Sequence, residues 1–184
     1  MSIMHCSLLS LSCAFGFTPV GNQPNLTGLR ALKIAQRRLR PEVRSKLLSV
    51  SSSRTDGNLA PDAWRFVFSD PGTSGHCRVV TVAAKTSSEH PATVEAFSMA
   101  KMDGIATANV ILQNKLLLDT DQVLAQARSA AKLKGIRAAK YDLGQPRSGH
   151  EPMWTIHFYA ENDELIADLQ VGAKLGGVKI VNRA

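Results

Sequence analysis

Trp154-Thr155-Ile156-His157-Phe158 decides how this chain is read, because Trp64-Arg65-Phe66-Val67-Phe68 repeats its pattern 90 positions earlier. In both stretches large apolar residues take alternate positions, the period of a β-strand with one buried face. Each stretch leads through turn residues into a second apolar strand. After Phe158 come Glu161-Asn162-Asp163-Glu164 and then Leu165, Ala167, Leu169 and Val171 at alternate positions. After Phe68 come Asp70-Pro71-Gly72-Thr73-Ser74-Gly75 and the β-branched run from Cys77 to Ala84. Turn chemistry of this kind joins antiparallel neighbours.

Each aromatic strand is preceded by a helix signal. In the first half Thr27 stands as a candidate N-cap, Gly28, Leu32, Ala35 and Leu39 share one apolar face, and Pro41 stops the pattern. In the second half Asp119-x-x-Gln122 has capping-box spacing, Leu124, Ala127 and Ala131 follow on one face, and Gly135 is the expected stop. Further strands are predicted from Lys46 to Ser53, Thr93 to Met99, Ile136 to Tyr141 and Val178 to Val181, with residues 100–116 ambiguous between a strand and a connector.

The landmarks hold a nearly constant offset. Leu32 and Ala35 recur as Leu124 and Ala127, 92 positions on; Trp64, Phe66 and Phe68 as Trp154, Ile156 and Phe158, 90 on; Val80, Val82 and Ala84 as Leu169, Val171 and Ala173, 89 on. Order and spacing preserved across a whole unit point to internal duplication. The expected fold is α+β: two tandem repeats, each one helix packed on an antiparallel sheet of about four strands. A unit of this size buries too little surface to be secure alone, so the two copies are expected to pack together. Within them Leu32, Ala35, Trp64, Phe66, Leu124, Ala127, Trp154, Ile156 and Phe158 are the expected core.

A helix with paired Ala or Leu positions, then Trp-x-apolar-x-apolar, a turn, an apolar-x-Val-x-Ala strand and a Gly turn before a last strand resembles the PepSY domain. The residues that carry the likeness are Leu124, Ala127, Trp154, Ile156, Leu169, Val171, Ala173, Gly176 and Val178, and in the first half Leu32, Ala35, Trp64, Phe66, Val80, Val82 and Ala84. The first half has Ser87 where the turn Gly is expected, and both halves lack the aspartate often found before the Ala of that strand. The resemblance implies a cystatin-like helix-on-sheet form and a non-enzymatic module of exported or envelope proteins that binds, and in some cases inhibits, peptidases. It carries over no catalytic residue, metal or cofactor.

The chain divides accordingly: 1–16 reads as a signal peptide, 17–25 as a flexible lead-in, 26–100 as the first repeat, 101–116 as a connector and 117–184 as the second repeat. The apolar run that ends at Ala14-Phe15-Gly16 is the length of a signal-peptide core and too short to span a bilayer, so export is expected. No Lys or Arg precedes it, which keeps a cytoplasmic location as the alternative. Of three cysteines, Cys6 and Cys13 fall in this leader, leaving Cys77 alone in the body of the chain, where it reads as a strand residue.

The formal charge is +7, and most of the excess lies between Arg30 and Lys46. There Arg30, Lys33, Arg37, Arg38, Arg40, Arg44 and Lys46 are opposed by Glu42 alone. The first six are the candidate anion- or partner-binding residues, and an anionic polymer or nucleic acid on a basic helix 30–46 is the alternative function. Nucleic acid is disfavoured because the aromatic residues lie on core faces and offer no stacking platform. His76, His90, His150 and His157 show no metal-ligand spacing, and His157 alternates off the Trp face as an exposed strand residue. The acids of residues 161–164 read as a solvated turn. The expectation is a binding module for an unidentified protein partner, with no enzymatic activity, cofactor or membrane span.

Overall fold

The computed structural model of the chain describes residues 26–55, 57, 59–72, 76–84, 109–147 and 149–183, and the backbone of 93–98. The leader, the lead-in, Ser87, His90 and residues 101–108 of the connector lie outside the described residues. The elements in chain order are α1 (Gly28–Gln36), α2 (Pro41–Arg44), β1 (Leu47–Ser52), β2 (Ala63–Ser69), β3 (Cys77–Ala83) and β4 (Thr93–Ser98). There follow a 3-10 turn (Gln113–Lys115), α3 (Thr120–Ala131), β5 (Ala138–Gly144), β6 (Met153–Tyr159), β7 (Leu165–Gly172) and β8 (Val178–Arg183).

All eight strands form one antiparallel sheet in the order β4-β3-β2-β1-β5-β6-β7-β8. Three hairpins on each side meet at the centre, where β1 pairs with β5 through Val50↔Leu143 and Ser51↔Asp142. The fold is therefore α+β, with its helices packed on a single continuous sheet. The expectation of a separate small sheet for each half is corrected by this central pairing, which satisfies two strand edges at once. The alternation that marks β2 and β6 has the expected effect. Trp64, Phe66 and Phe68, and Trp154, Ile156 and Phe158, are all fully buried on the helix-covered face.

Helix α1 lies over β2 and β3, and α3 over β7 and β8. Gly28, Ala31, Leu32 and Ala35 are the buried positions of α1, and the small Gly and Ala residues among them bring its backbone close to the sheet. On α3 the buried positions are Thr120, Val123, Ala127 and Ala131. Leu124, expected in the core, is only half-buried; Val123 takes the inward position and Leu124 flanks it. Helix α3 also ends earlier than Gly135, at Ala131, because Lys132 takes a left-handed conformation with φ 48° and its N–H returns to the Arg128 carbonyl. The basic segment 30–46 is not one helix. Its chain turns after Gln36, and Pro41 starts the short α2, where a missing N–H costs nothing.

The Trp rings bridge the two halves of the sheet. Trp64 and Trp154 meet edge to face with ring centroids 6.1 Å apart, and Trp64 also meets the Tyr141 ring at 6.0 Å. Each indole N–H finds the carbonyl just ahead of a helix: Trp64 Nε1 donates to Leu26 O at 2.6 Å, and Trp154 Nε1 to Leu118 O at 3.2 Å. The two helices therefore start beside each other above the central strands.

Candidate functional site

The N-termini of α1 and α3 share one carboxylate. Asp119 caps α3 in a full capping box with Gln122, whose Oε1 accepts from the Asp119 N–H at 3.0 Å. The same carboxylate accepts the Leu29 N–H of α1 at 2.9 Å and the Thr27 hydroxyl at 2.6 Å, while Thr120 Oγ1 accepts the Gly28 N–H at 3.1 Å. Thr27 stands at the N-cap of α1 but makes no side-chain cap bond there. A cavity of about 300 Å³ opens beside this joint, lined chiefly by Leu26, Leu59, Pro61, Leu124 and Tyr141. The Tyr141 hydroxyl donates to Leu59 O at 2.8 Å, and burial raises its pKa well above the ordinary phenol value.

On the sheet face away from the helices the central strands carry polar side chains. His157 on β6 lies between Asp142 of β5, 3.1 Å from Nε2, and Asp168 of β7, 2.6 Å from Nδ1. Lys140 reaches the same Asp142 at 3.3 Å. Cross-strand register makes this row, since Lys140 faces His157 and His157 faces Asp168. The hydrogen bond to Asp142 raises the His157 pKa against the effect of burial, and Asp168 adds to the rise. Burial pushes Asp142 upward, but the His157 hydrogen bond and the Lys140 charge outweigh it and hold it below its ordinary value. The imidazole is thus paired on both nitrogens, and its side chain is 25% exposed rather than the open strand residue expected from alternation alone.

Beside this row a shallow dish of about 420 Å³ spans the β1–β5 seam, with Ser49, Ser51, Arg65, Lys140, Asp142 and Thr155 around it and Val50, Val67 and Leu143 between them. Hydroxyls, a carboxylate and cations share one concave patch that offers both donors and acceptors. Farther along the same face Leu48, Val67, Cys77 and Val79 form a second, small buried cluster, and burial raises the Cys77 thiol pKa. Among the described residues no group of three or more His, Cys, Asp or Glu is arranged to hold a metal ion, and no helix is long and apolar enough to cross a membrane.

The six basic candidates separate. Arg40 is drawn to Glu42 at 3.2 Å and to the buried Asp70 at 3.0 Å. Asp70 also accepts from Arg78 and from the Gly72 N–H, and together these hold its pKa low despite full burial. Arg40 thereby ties the α1–α2 turn to the β2–β3 hairpin. Lys33, Arg37 and Arg44 line one groove of about 450 Å³ with Gln36 and Gln113. Arg30 and Arg38 are exposed and are not among the residues lining it.

The paired Asp residues around His157 lie 15 and 11 positions from it, a separation that hides them in the sequence until the hairpin register is fixed. The alternation of β6 and the 161–164 turn are the signals from which Asp168 was recoverable. No protein-family model matches the chain, and comparison with curated proteins and with solved structures gives no match.

Proposed function

We propose that the chain is a non-enzymatic, exported protein-binding module built from two PepSY-like, cystatin-like units, and that it receives its partner on the open face of the sheet at the β1–β5 seam. The carrying observation is the concave dish across that seam, where polar and charged side chains stand beside Val50, Val67 and Leu143, on a sheet whose other face is occupied by helices. A concave patch with mixed donors and acceptors on rigid strands suits a folded protein surface better than a small apolar ligand. Both His157 nitrogens are held by carboxylates, which suits a fixed element of that surface and not a proton shuttle.

The duplication is supported by the mirrored strand order, by the helix that precedes and packs on the strands of each half, and by the paired indole hydrogen bonds to Leu26 and Leu118. The test is site-specific photo-crosslinking in an envelope extract, with the reactive side chain at Thr155 in the dish or at Ser129 on the exposed side of α3. A specific protein adduct from Thr155 and none from Ser129 is expected. Adducts from Ser129 alone would move the binding surface to the helices. An intact Met1 or Ser2 terminus on the native protein would remove the export claim.

A further inference from the structure

We propose that the groove between α1 and α2 docks an extended acidic segment of a protein partner. This rests on the reading that the partner is a protein. Lys33 and Arg37 are one helical turn apart, and Arg44 faces them from α2 across the same groove. Arg44 is oriented before any ligand arrives, because its Nε donates to Leu39 O at 2.6 Å, which turns the rest of the guanidinium toward other acceptors. Neither Lys33 nor Arg37 has a carboxylate partner among the described residues, and the nearby Glu42 is taken by Arg40. A helix C-terminus carries only about half a negative charge, so the end of α1 does not account for three converging cations.

The groove floor selects among anions. Gln36 Nε2 donates to Arg44 O at 3.3 Å and to Gln113 Oε1 at 2.7 Å, and Gln113 Nε2 donates to Arg44 O at 2.8 Å. Both donor hydrogens of Gln36 are used, so its Oε1 is presented as an acceptor amid the cations. A peptide supplies carboxylates for the cations and, on the same backbone, N–H groups for this oxygen, whereas the phosphate groups of a phosphodiester strand supply acceptors only. The absence of an aromatic residue from the lining also leaves bases nothing to stack on.

The test is fluorescence anisotropy on the full chain with a labelled Glu-rich peptide and, separately, a single-stranded oligonucleotide of equal charge, at low and high salt. The peptide is expected to bind at low salt and to lose about tenfold or more in affinity with the K33E/R37E double variant. The charge-preserving K33R/R37K variant should bind within about threefold of the native chain. Both positions are exposed, so thermal midpoints should stay within roughly 2 °C and separate lost binding from lost folding. No peptide binding by the native chain, equal binding by K33E/R37E, or tighter oligonucleotide than peptide binding through these residues would overturn the proposal. The Thr155 crosslink is read independently, so failure at the groove and failure of the sheet-face reading are distinguishable.

Discussion

Asp119 serves two helices at once, and its removal should cost more than an ordinary cap. Loss of the carboxylate leaves the Thr120 N–H of α3 and the Leu29 N–H of α1 without their acceptor. Asp119→Ala should therefore destabilise by about 2–3 kcal/mol in urea unfolding, above the roughly 1 kcal/mol typical of a single N-cap, and Asp119→Asn should recover much of the loss. Gly28 sits in the same joint. A Cβ there would stand 2.8 Å from Trp154 Cη2 and 3.3 Å from Trp64 Cη2. Gly28→Ala should lower stability by about 1–3 kcal/mol through overpacking, although Ala is the better helix former. Trp64→Ala or Trp154→Ala should each cost about 3–5 kcal/mol, since both rings are fully buried. An unchanged urea midpoint in either Trp variant would contradict the core assignment. Of these residues, the Trp pair was legible from alternation and the Asp119 box from local spacing. The hold of Asp119 on Leu29 was not, because a cap shared by helices 90 positions apart has no sequence pattern.

At the scale of elements, the β5–β6–β7 row makes stability depend on pH in a definite direction. His157 faces Asp142, Asp168 and, across the strand pair, Lys140. Its folded pKa is raised above 6.5, so its contribution is full below that value and is lost as pH rises through the folded pKa. The folded pKa of Asp142 is lowered below 3.8, so its contribution is full above 3.8 and is lost as pH falls through the folded pKa. The stability gap between the native chain and His157→Gln should accordingly be widest between about pH 4 and 6.5 and narrow as pH rises through the raised folded pKa of His157; a gap that widens in alkali would contradict the row. Strand identity was largely readable from alternation and turn residues. Edge pairing was not: β1 and β5 carry no mark that they prefer each other to a separate sheet, because backbone ladder bonds are indifferent to side-chain identity. The bend of the basic segment was partly readable from Pro41, yet the gathering of Lys33, Arg37 and Arg44 depends on how α2 folds back.

For the whole molecule, the central claim is that its two halves form one cooperative body through the β1–β5 ladder, the Trp64–Trp154 contact and the Asp119 joint. The ladder alone is short, so the aromatic and cap contacts on the helix side must share in holding the seam. The dish exists only when the halves are joined, since Ser49, Ser51 and Arg65 come from one and Lys140, Asp142 and Thr155 from the other. The proposed binding function is thus tied to the seam. The chain has two Trp residues, one in each half, which makes each half separately visible by fluorescence. The most direct measurement is urea unfolding of Trp64→Phe and Trp154→Phe, each followed both by the remaining Trp and by far-UV circular dichroism. The account predicts that within each variant the two probes report one coincident transition; a remaining Trp that unfolds at a different urea concentration from the secondary structure would show two independent halves and contradict it.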